Sequence, residues 1–212
     1  MAQFRLLDEL AGRPFPTALP KPHDPHYAAH VLTDLRAPDD ATGAAFRAFT
    51  QHPVGEALLQ AVAGNSPYLA QAILKDPEFF RDLAESGLQT SLTSTLGEVE
   101  ALGDEGSEAD LMAALRIRRR RVAVLTAVAD IAGVWPLTQI TGALSNFADA
   151  AVAAAVRHLI ANAVSTGRMT PEAARDHGFV VLAMGKLGGG ELNYSSDIDL
   201  IVLWDQDKAG AG

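Results

Sequence analysis

Asp197 and Asp199 stand one residue apart in the run Ser195-Ser196-Asp197-Ile198-Asp199-Leu200. Side chains alternate along a strand, so this spacing sends both carboxylates to one face and Ile198 and Leu200 into the core. Two carboxylates on one rigid strand make a hard-oxygen site suited to Mg2+ shared with substrate phosphates. A pair of such ions, roughly 3.5–4 Å apart, would stabilise the attacking and leaving oxygens of an in-line displacement. Just upstream lies Gly185-Lys186-Leu187-Gly188-Gly189-Gly190. Gly185, Gly188 and Gly189 lack a Cβ and let backbone N–H groups approach a phosphate closely, while Lys186 adds a point charge. Ser196 would position the turn or touch a phosphate oxygen. The plainer reading is a hairpin turn with two solvated carboxylates, and the apolar runs on both sides favour the built site over it.

Other phosphate and metal motifs fit less well. A Walker A loop needs glycine five residues before Gly185 and Ser or Thr after Lys186, where Val180 and Leu187 stand. The Asp-x-Asp of haloacid-dehalogenase phosphatases follows its strand and carries Thr two residues on; here the pair precedes the apolar run and Ile201 takes that place. An EF-hand fails because Ile201 also occupies its third oxygen-ligand position.

The elements that must hold this segment change character near residue 171. Phe179–Met184 is a continuous apolar run bounded by Gly178 and Gly185, the pattern of a strand buried on both faces. Ile198, Leu200 and Val202 then alternate with Asp199, Ile201 and Leu203 in a second strand finishing near Trp204. Upstream, residues 39–170 read as helical. Asp39-Asp40 caps a helix to Gln51, and Pro53 ends it. A helix over Glu56–Ala63 is closed by Gly64-Asn65, and Ser66-Pro67 and Asp76-Pro77 each supply an N-cap followed by proline at the first helical position. Ser107 with Asp110 resembles a capping box opening a long helix to Gly133, and Pro136 opens another to Gly167. Residues 1–38 form a Pro-rich opening segment in which Pro14, Pro16, Pro20, Pro22, Pro25 and Pro38 break regular structure. The fold class expected is α+β: an opening segment (1–38), a helical region (39–170) and the first strands of a sheet (171–212).

Composition bounds the rest. The chain has 212 residues and a net charge of −9, from 17 Lys+Arg against 26 Asp+Glu. Ala occurs 38 times while aromatics are 6%, a balance that favours close-packed helices. An acidic chain is a poor coater of phosphate backbones, so nucleic acid is not expected as a partner. Without cysteine there is neither a disulfide framework nor a zinc–thiolate site. The Ala/Val stretch near residues 150–156 is shorter than the ~20 apolar residues of a membrane span, and Asp8 and Glu9 interrupt any signal peptide. The expectation is a cytoplasmic chain with no membrane partner.

The Gly-rich turn, Ser196-Asp197-Ile198-Asp199-Leu200 and the apolar strand after it resemble the signature of DNA-polymerase-β-type nucleotidyltransferases. The longer string from Met184 to Leu203 is similar to the glutamine synthetase adenylyltransferase/adenylyl-removing enzymes. That likeness extends to Gly64-Asn65-Ser66-Pro67-Tyr68-Leu69, to the Arg-rich helix ending Ile131-Ala132-Gly133-Val134, and to the Leu137–Leu159 helix. The resemblance implies Mg2+ held by Asp197 and Asp199, phosphates lined by Gly188 and Gly189, and phosphorolytic removal of AMP from a glutamine synthetase tyrosine with release of ADP. It further implies ATP for the forward reaction and a PII-type signalling protein as regulator. Position near Met1 behind one helical region is similar to the removing half. The family fold needs a third carboxylate on a later strand, so the 212 residues are expected to be an N-terminal piece, inactive by itself. The alternative is a helical protein-interaction module with a non-catalytic turn.

Three further features need a reading. Arg116, Arg118, Arg119, Arg120 and Arg121 are too many guanidinium groups for one helix face, and solvation with carboxylate pairing is the expected explanation. His23, His26 and His30 have no flanking acidic ligand and are not read as a metal site. Trp135 and Trp204 read as core or interface aromatics.

Overall fold

The computed structural model describes residues 4–11, 19–103, 106–205 and 208. The chain divides into two compact units, one of Met1–Thr95 with Arg120–Ile140 and one of Leu96–Arg119 with Thr141–Gly212.

The first unit is helical, and its helix starts follow proline and cap chemistry. It holds α1 (Arg5–Ala11), α2 (Pro25–Arg36), α3 (Ala41–Gln51), α4 (Pro53–Asn65), α5 (Pro67–Lys75) and α6 (Pro77–Ser86). It also takes most of α7 (Leu88–Glu100), the C-terminal part of α8 (Glu108–Ile131) and the first residues of α9 (Leu137–Ser165). Asp40, Ser66 and Asp76 each accept a hydrogen bond from the backbone N–H three residues on, as expected of N-caps. The prolines of the opening segment do not all break structure, contrary to expectation. Pro25 sits at the first position of α2, where a missing N–H costs nothing, and Asp24 caps it by accepting from Tyr27 N at 2.8 Å. His26 and His30 lie on this helix, and His30 pairs with Asp34 at 3.1 Å. Pro14 and Pro16 lie outside the described residues. α4 begins three residues earlier than the sequence pattern predicts, with Pro53 at its first position.

Gly64 and Asn65 end α4, as expected, and each also holds the preceding segment. Gly64 has no positive φ; a Cβ there would lie 2.3 Å from Pro22 Cβ, so glycine admits the preceding segment. Asn65 then clamps that segment, accepting from His23 N at 3.1 Å and donating to Lys21 O at 3.0 Å. Packed within are Phe46, Phe49 and Phe80, with Phe46 stacked on Phe80 at 5.5 Å and Phe49 edge-on to it at 5.8 Å. Trp135 is buried in this unit.

The second unit carries the sheet. Ser107 and Asp110 make the capping box of α8, Ser107 Oγ to Asp110 Oδ2 at 2.7 Å and Asp110 N to Ser107 Oγ at 3.2 Å. Gly167, at φ +70, closes α9, and Arg168 N donates to Ala163 O at 2.8 Å. α9 is long and apolar enough, by length and composition alone, to cross a membrane, which the sequence reading did not anticipate. Its high Ala and Val content accounts for this, and its Ser145, Ala148, Ala154 and His158 are buried in the protein. A short helix α10 (Pro171–Arg175) leads to β1 (Phe179–Met184), a single helical turn α11 (Gly185–Gly188) and β2 (Asp199–Trp204).

β1 and β2 pair antiparallel, with Phe179 opposite Trp204 and Met184 opposite Asp199. The expectation of strands buried on both faces is corrected. Phe179, Val181, Ala183 and Leu200 line a groove of about 370 Å3 whose other wall is α9, at Asp149 and Val152 among others. The opposite face, with Val180, Leu182, Ile201 and Leu203, is exposed. A continuous apolar run signals layers on both sides, and among the described residues the face of Val180, Leu182, Ile201 and Leu203 carries none. Trp204, at the end of β2, is also exposed.

Candidate functional site

The site is built on the connection between the two strands, and two leucines hold it down. Leu187 and Leu192, among the few apolar residues of a Gly-rich stretch, are buried against Ala148 of α9, with Leu144 and Ala183 packed beside them. Leu192 N donates to Ser145 Oγ at 3.2 Å, a buried hydrogen bond from the turn to α9. Burying the backbone donor of Leu192 without that acceptor would cost about 1–3 kcal/mol. Ser145, Leu187 and Leu192 were not singled out from sequence. The signal was present in a polar residue three positions from Ala148 on a helix face and in apolar residues isolated among glycines.

The glycines have distinct tasks. Gly185 turns the chain out of β1 at φ +55, and a Cβ there would sit 3.1 Å from Asp199 Oδ2. The carboxylate thus rests against the backbone at 185, where the positive φ favours glycine. Gly188 is required by the strand: its Cβ would meet Ala183 O at 2.5 Å. Gly189 has looser surroundings, its nearest neighbour being Gly185 O at 3.6 Å. Closeness to β1 is thus one reason for glycine at 188, beside the phosphate-lining role expected of it.

Asp199 is the first residue of β2, on the face of Met184 and Ile201 and opposite to Leu200, as the alternation predicted. Asp197 lies in the irregular stretch before the strand, so strand geometry does not set its direction. Ile198 and Leu200 are exposed at 39% and 38%, not in the core as expected. Both aspartates are exposed, and among the described residues neither side chain has a hydrogen bond or ion pair. Two carboxylates left without cationic or N–H partners retain their full capacity to bind a hard cation. Their chemistry fits Mg2+, with water and phosphate oxygens filling the other positions. Among the described residues no cluster of three His, Cys, Asp or Glu adds a third ligand.

Lys186, Ser196 and Asn193 form a chain beside them. Lys186 Nζ donates to Ser196 Oγ at 3.3 Å, and Ser196 Oγ donates to Asn193 Oδ1 at 2.7 Å. Asn193 is the other residue missed from sequence, although Asn followed by two serines carries the Asx-turn signature.

The Arg cluster separates into individual roles. Arg118 pairs with Glu98 at 3.1 Å in the second unit. Arg121 pairs with Asp76 at 2.7 Å in the first and lies 5.2 Å over the Phe79 ring. Arg120 buries its Nε without an acceptor, and Arg116 and Arg119 are exposed.

The family model of glutamate-ammonia ligase adenylyltransferase matches residues 56–212. The chain is 38% identical over 194 residues to a bifunctional glutamine synthetase adenylyltransferase/adenylyl-removing enzyme of Bradyrhizobium diazoefficiens, covering 86% of this chain and 20% of that protein. It is 39% identical over 199 residues to the enzyme of the same name from Rhodopseudomonas palustris (strain ATCC BAA-98 / CGA009), covering 89% and 20%. With that of Xanthobacter autotrophicus it shares 38% over 161 residues, covering 74% and 16%. The chain thus spans about a fifth of the length of the curated relatives it matches. No solved structure matches it. With the family match running through the Gly-rich turn and both aspartates, the chain belongs to the glutamate-ammonia ligase adenylyltransferase family.

Proposed function

We propose that this chain supplies nucleotidyl-transfer chemistry that regulates glutamine synthetase, in the direction that removes AMP from an adenylylated tyrosine. The observation that carries this reading is the pair of partnerless carboxylates, Asp197 and Asp199, set beside an equally uncompensated Lys186 on a turn anchored by Leu187 and Leu192. In the reaction, an oxygen of inorganic phosphate forms a bond to the AMP phosphorus as the phosphorus–tyrosine oxygen bond breaks. ADP leaves, and the tyrosine oxygen takes up a proton. Asp197 and Asp199 would hold Mg2+, which when bound neutralises charge on the transferring group. Lys186 presents its ammonium to phosphate oxygens as a point charge. Gly185 keeps Asp199 close to the backbone, and Ser145 keeps the turn on α9.

ATP, for the attaching reaction, and a PII-type regulator belong to the same proposal at the level of the whole enzyme, as does a cytoplasmic setting. The test is Asp199→Asn in the full-length enzyme carrying this chain, assayed separately with adenylylated and with unmodified glutamine synthetase. ADP formation should disappear while AMP incorporation from ATP persists. Loss of incorporation with survival of ADP formation would assign the site to the attaching direction; survival of both would remove it from the chemistry.

A further inference from the structure

The hydrogen bonds beside the aspartates have only one consistent direction. Ser195 N is a donor and faces Asn193 Oδ1 at 3.2 Å, so that atom of the carboxamide is the oxygen. An oxygen acceptor 2.7 Å from Ser196 Oγ must receive the Ser196 hydroxyl proton. The Lys186 ammonium is donor-only, and its 3.3 Å contact therefore goes to a lone pair of the same Ser196 Oγ. Protons run from Lys186 to Ser196 to Asn193, and none is left on Ser196 for a phosphate.

From this polarity we infer that Asn193 is a positioning residue, which acts through Ser196 to hold the Lys186 ammonium for a phosphate group. The inference rests on the function proposed above and assigns the phosphate contact to the two remaining N–H groups of Lys186 instead of to Ser196. Both ends of the relay are mounted on fixed points. Lys186 precedes buried Leu187, and Asn193 follows buried Leu192, both in the cluster on Ala148. Glu191 N to Lys186 O at 2.8 Å ties the two ends across the glycines. The acceptors are neutral, and that matters. A carboxylate would hold a flexible lysine equally well but would cancel the charge a phosphate needs. Among the described residues Lys186 has no ion pair, so its charge is held in place without being neutralised.

The experiment uses the 15N-labelled 212-residue chain, which contains four lysines, Lys21, Lys75, Lys186 and Lys208. Lys186→Ala assigns the Lys186 ammonium resonance. That resonance should be sharp in the wild type and in Asn193→Asp, which keeps the acceptor, and broadened by solvent exchange in Asn193→Ala and Ser196→Ala. Titration with Mg2+ and ADP should show about fivefold weaker binding for Asn193→Ala, the cost of one hydrogen bond. The double variant with Lys186→Ala should bind no more weakly than Lys186→Ala alone. An unchanged Lys186 resonance in Asn193→Ala, no sharp resonance in the wild type, or additive losses in the double variant would overturn the relay. If wild-type chain and variants alike fail to bind Mg2+ and ADP, the titration is repeated with the full-length enzyme carrying this chain; failure there as well overturns the nucleotide reading, and the resonance alone then decides whether Asn193 positions Lys186.

Discussion

Replacing Arg121 by Ala separates the solvated reading of the Arg cluster from the structural one. Arg121 Nε meets Asp76 Oδ2 at 2.7 Å, with the two side chains 24% and 19% exposed. Asp76 uses its other oxygen to cap α6, accepting from Phe79 N at 3.3 Å, and the guanidinium lies over the Phe79 ring itself. Exposed pairs are worth about 0.2–1 kcal/mol, and removing one partner of a buried pair costs about 3–5 kcal/mol. At roughly one-fifth exposure the pair falls between these, at about 2 kcal/mol, and the ring contact adds about 0.5–1 kcal/mol. The total of about 2–3 kcal/mol should move the urea midpoint down by about 1–2 M, for a slope of about 1.5–2 kcal/mol per molar. The assay follows Trp135 fluorescence in a Trp204→Phe background, so that the signal comes from the first unit. Arg116→Ala, at an exposed position, is the control and should change stability by less than about 0.5 kcal/mol. If Arg121→Ala and Arg116→Ala unfold at the same urea concentration, solvent screens the Asp76 pair and the reasoning is wrong.

Three other outcomes are expected. Asp197→Asn should abolish Mg2+-dependent turnover in the full-length enzyme and leave the circular dichroism spectrum unchanged, because Asn keeps the size and loses the charge; retention of more than about a tenth of activity would contradict several kcal/mol of electrostatic stabilisation. Gly188→Ala, whose Cβ would come within 2.5 Å of Ala183 O, should destabilise the hairpin more than Gly189→Ala, where the nearest atom is 3.6 Å away, as read by amide exchange across β1. The Ser107 hydroxyl, and then the Ser107 backbone N–H, hold the Asp110 carboxyl below its usual value of 3.8. A folded value below the unfolded one means that the capping box supports the first turn of α8 above about pH 4 and loses that support as pH falls further. In Ser107→Ala, NMR titration of Asp110 should move back up toward the ordinary carboxylate value.

Features with local causes were legible in the sequence. Asp40, Ser66 and Asp76 caps, the Ser107–Asp110 box, the glycine ends at Gly133 and Gly167, and both strands within a residue all follow from chemistry inside a few positions. So does the Gly-rich turn with Asp199 at the head of β2, whereas Asp197 lies before the strand and its direction does not follow from alternation. What was not legible depended on distant neighbours. Gly64 matters because Pro22 lies against it, and Asn65 because it reaches His23 and Lys21. Ser145 is 47 positions from the amide it receives, and Arg121 is 45 from its carboxylate. No periodicity encodes such pairings. The burial of β1 was misjudged for a related reason: an apolar strand shows that it packs well, without showing what lies on each side of it.

The dependence of the turn on Ser145 and Ala148 also has a consequence in time. Among the described residues, the contacts that seat the turn are local or come from earlier in the chain: β1 meets β2 across a short connection, and α9 is complete before Leu192 is added. At a synthesis rate of about 5–20 residues per second, α9 has at least a second or two of lead over the leucines that dock on it, far longer than the microseconds in which helices and hairpins form. The Gly-rich turn can therefore find its seat on α9 as it leaves the ribosome.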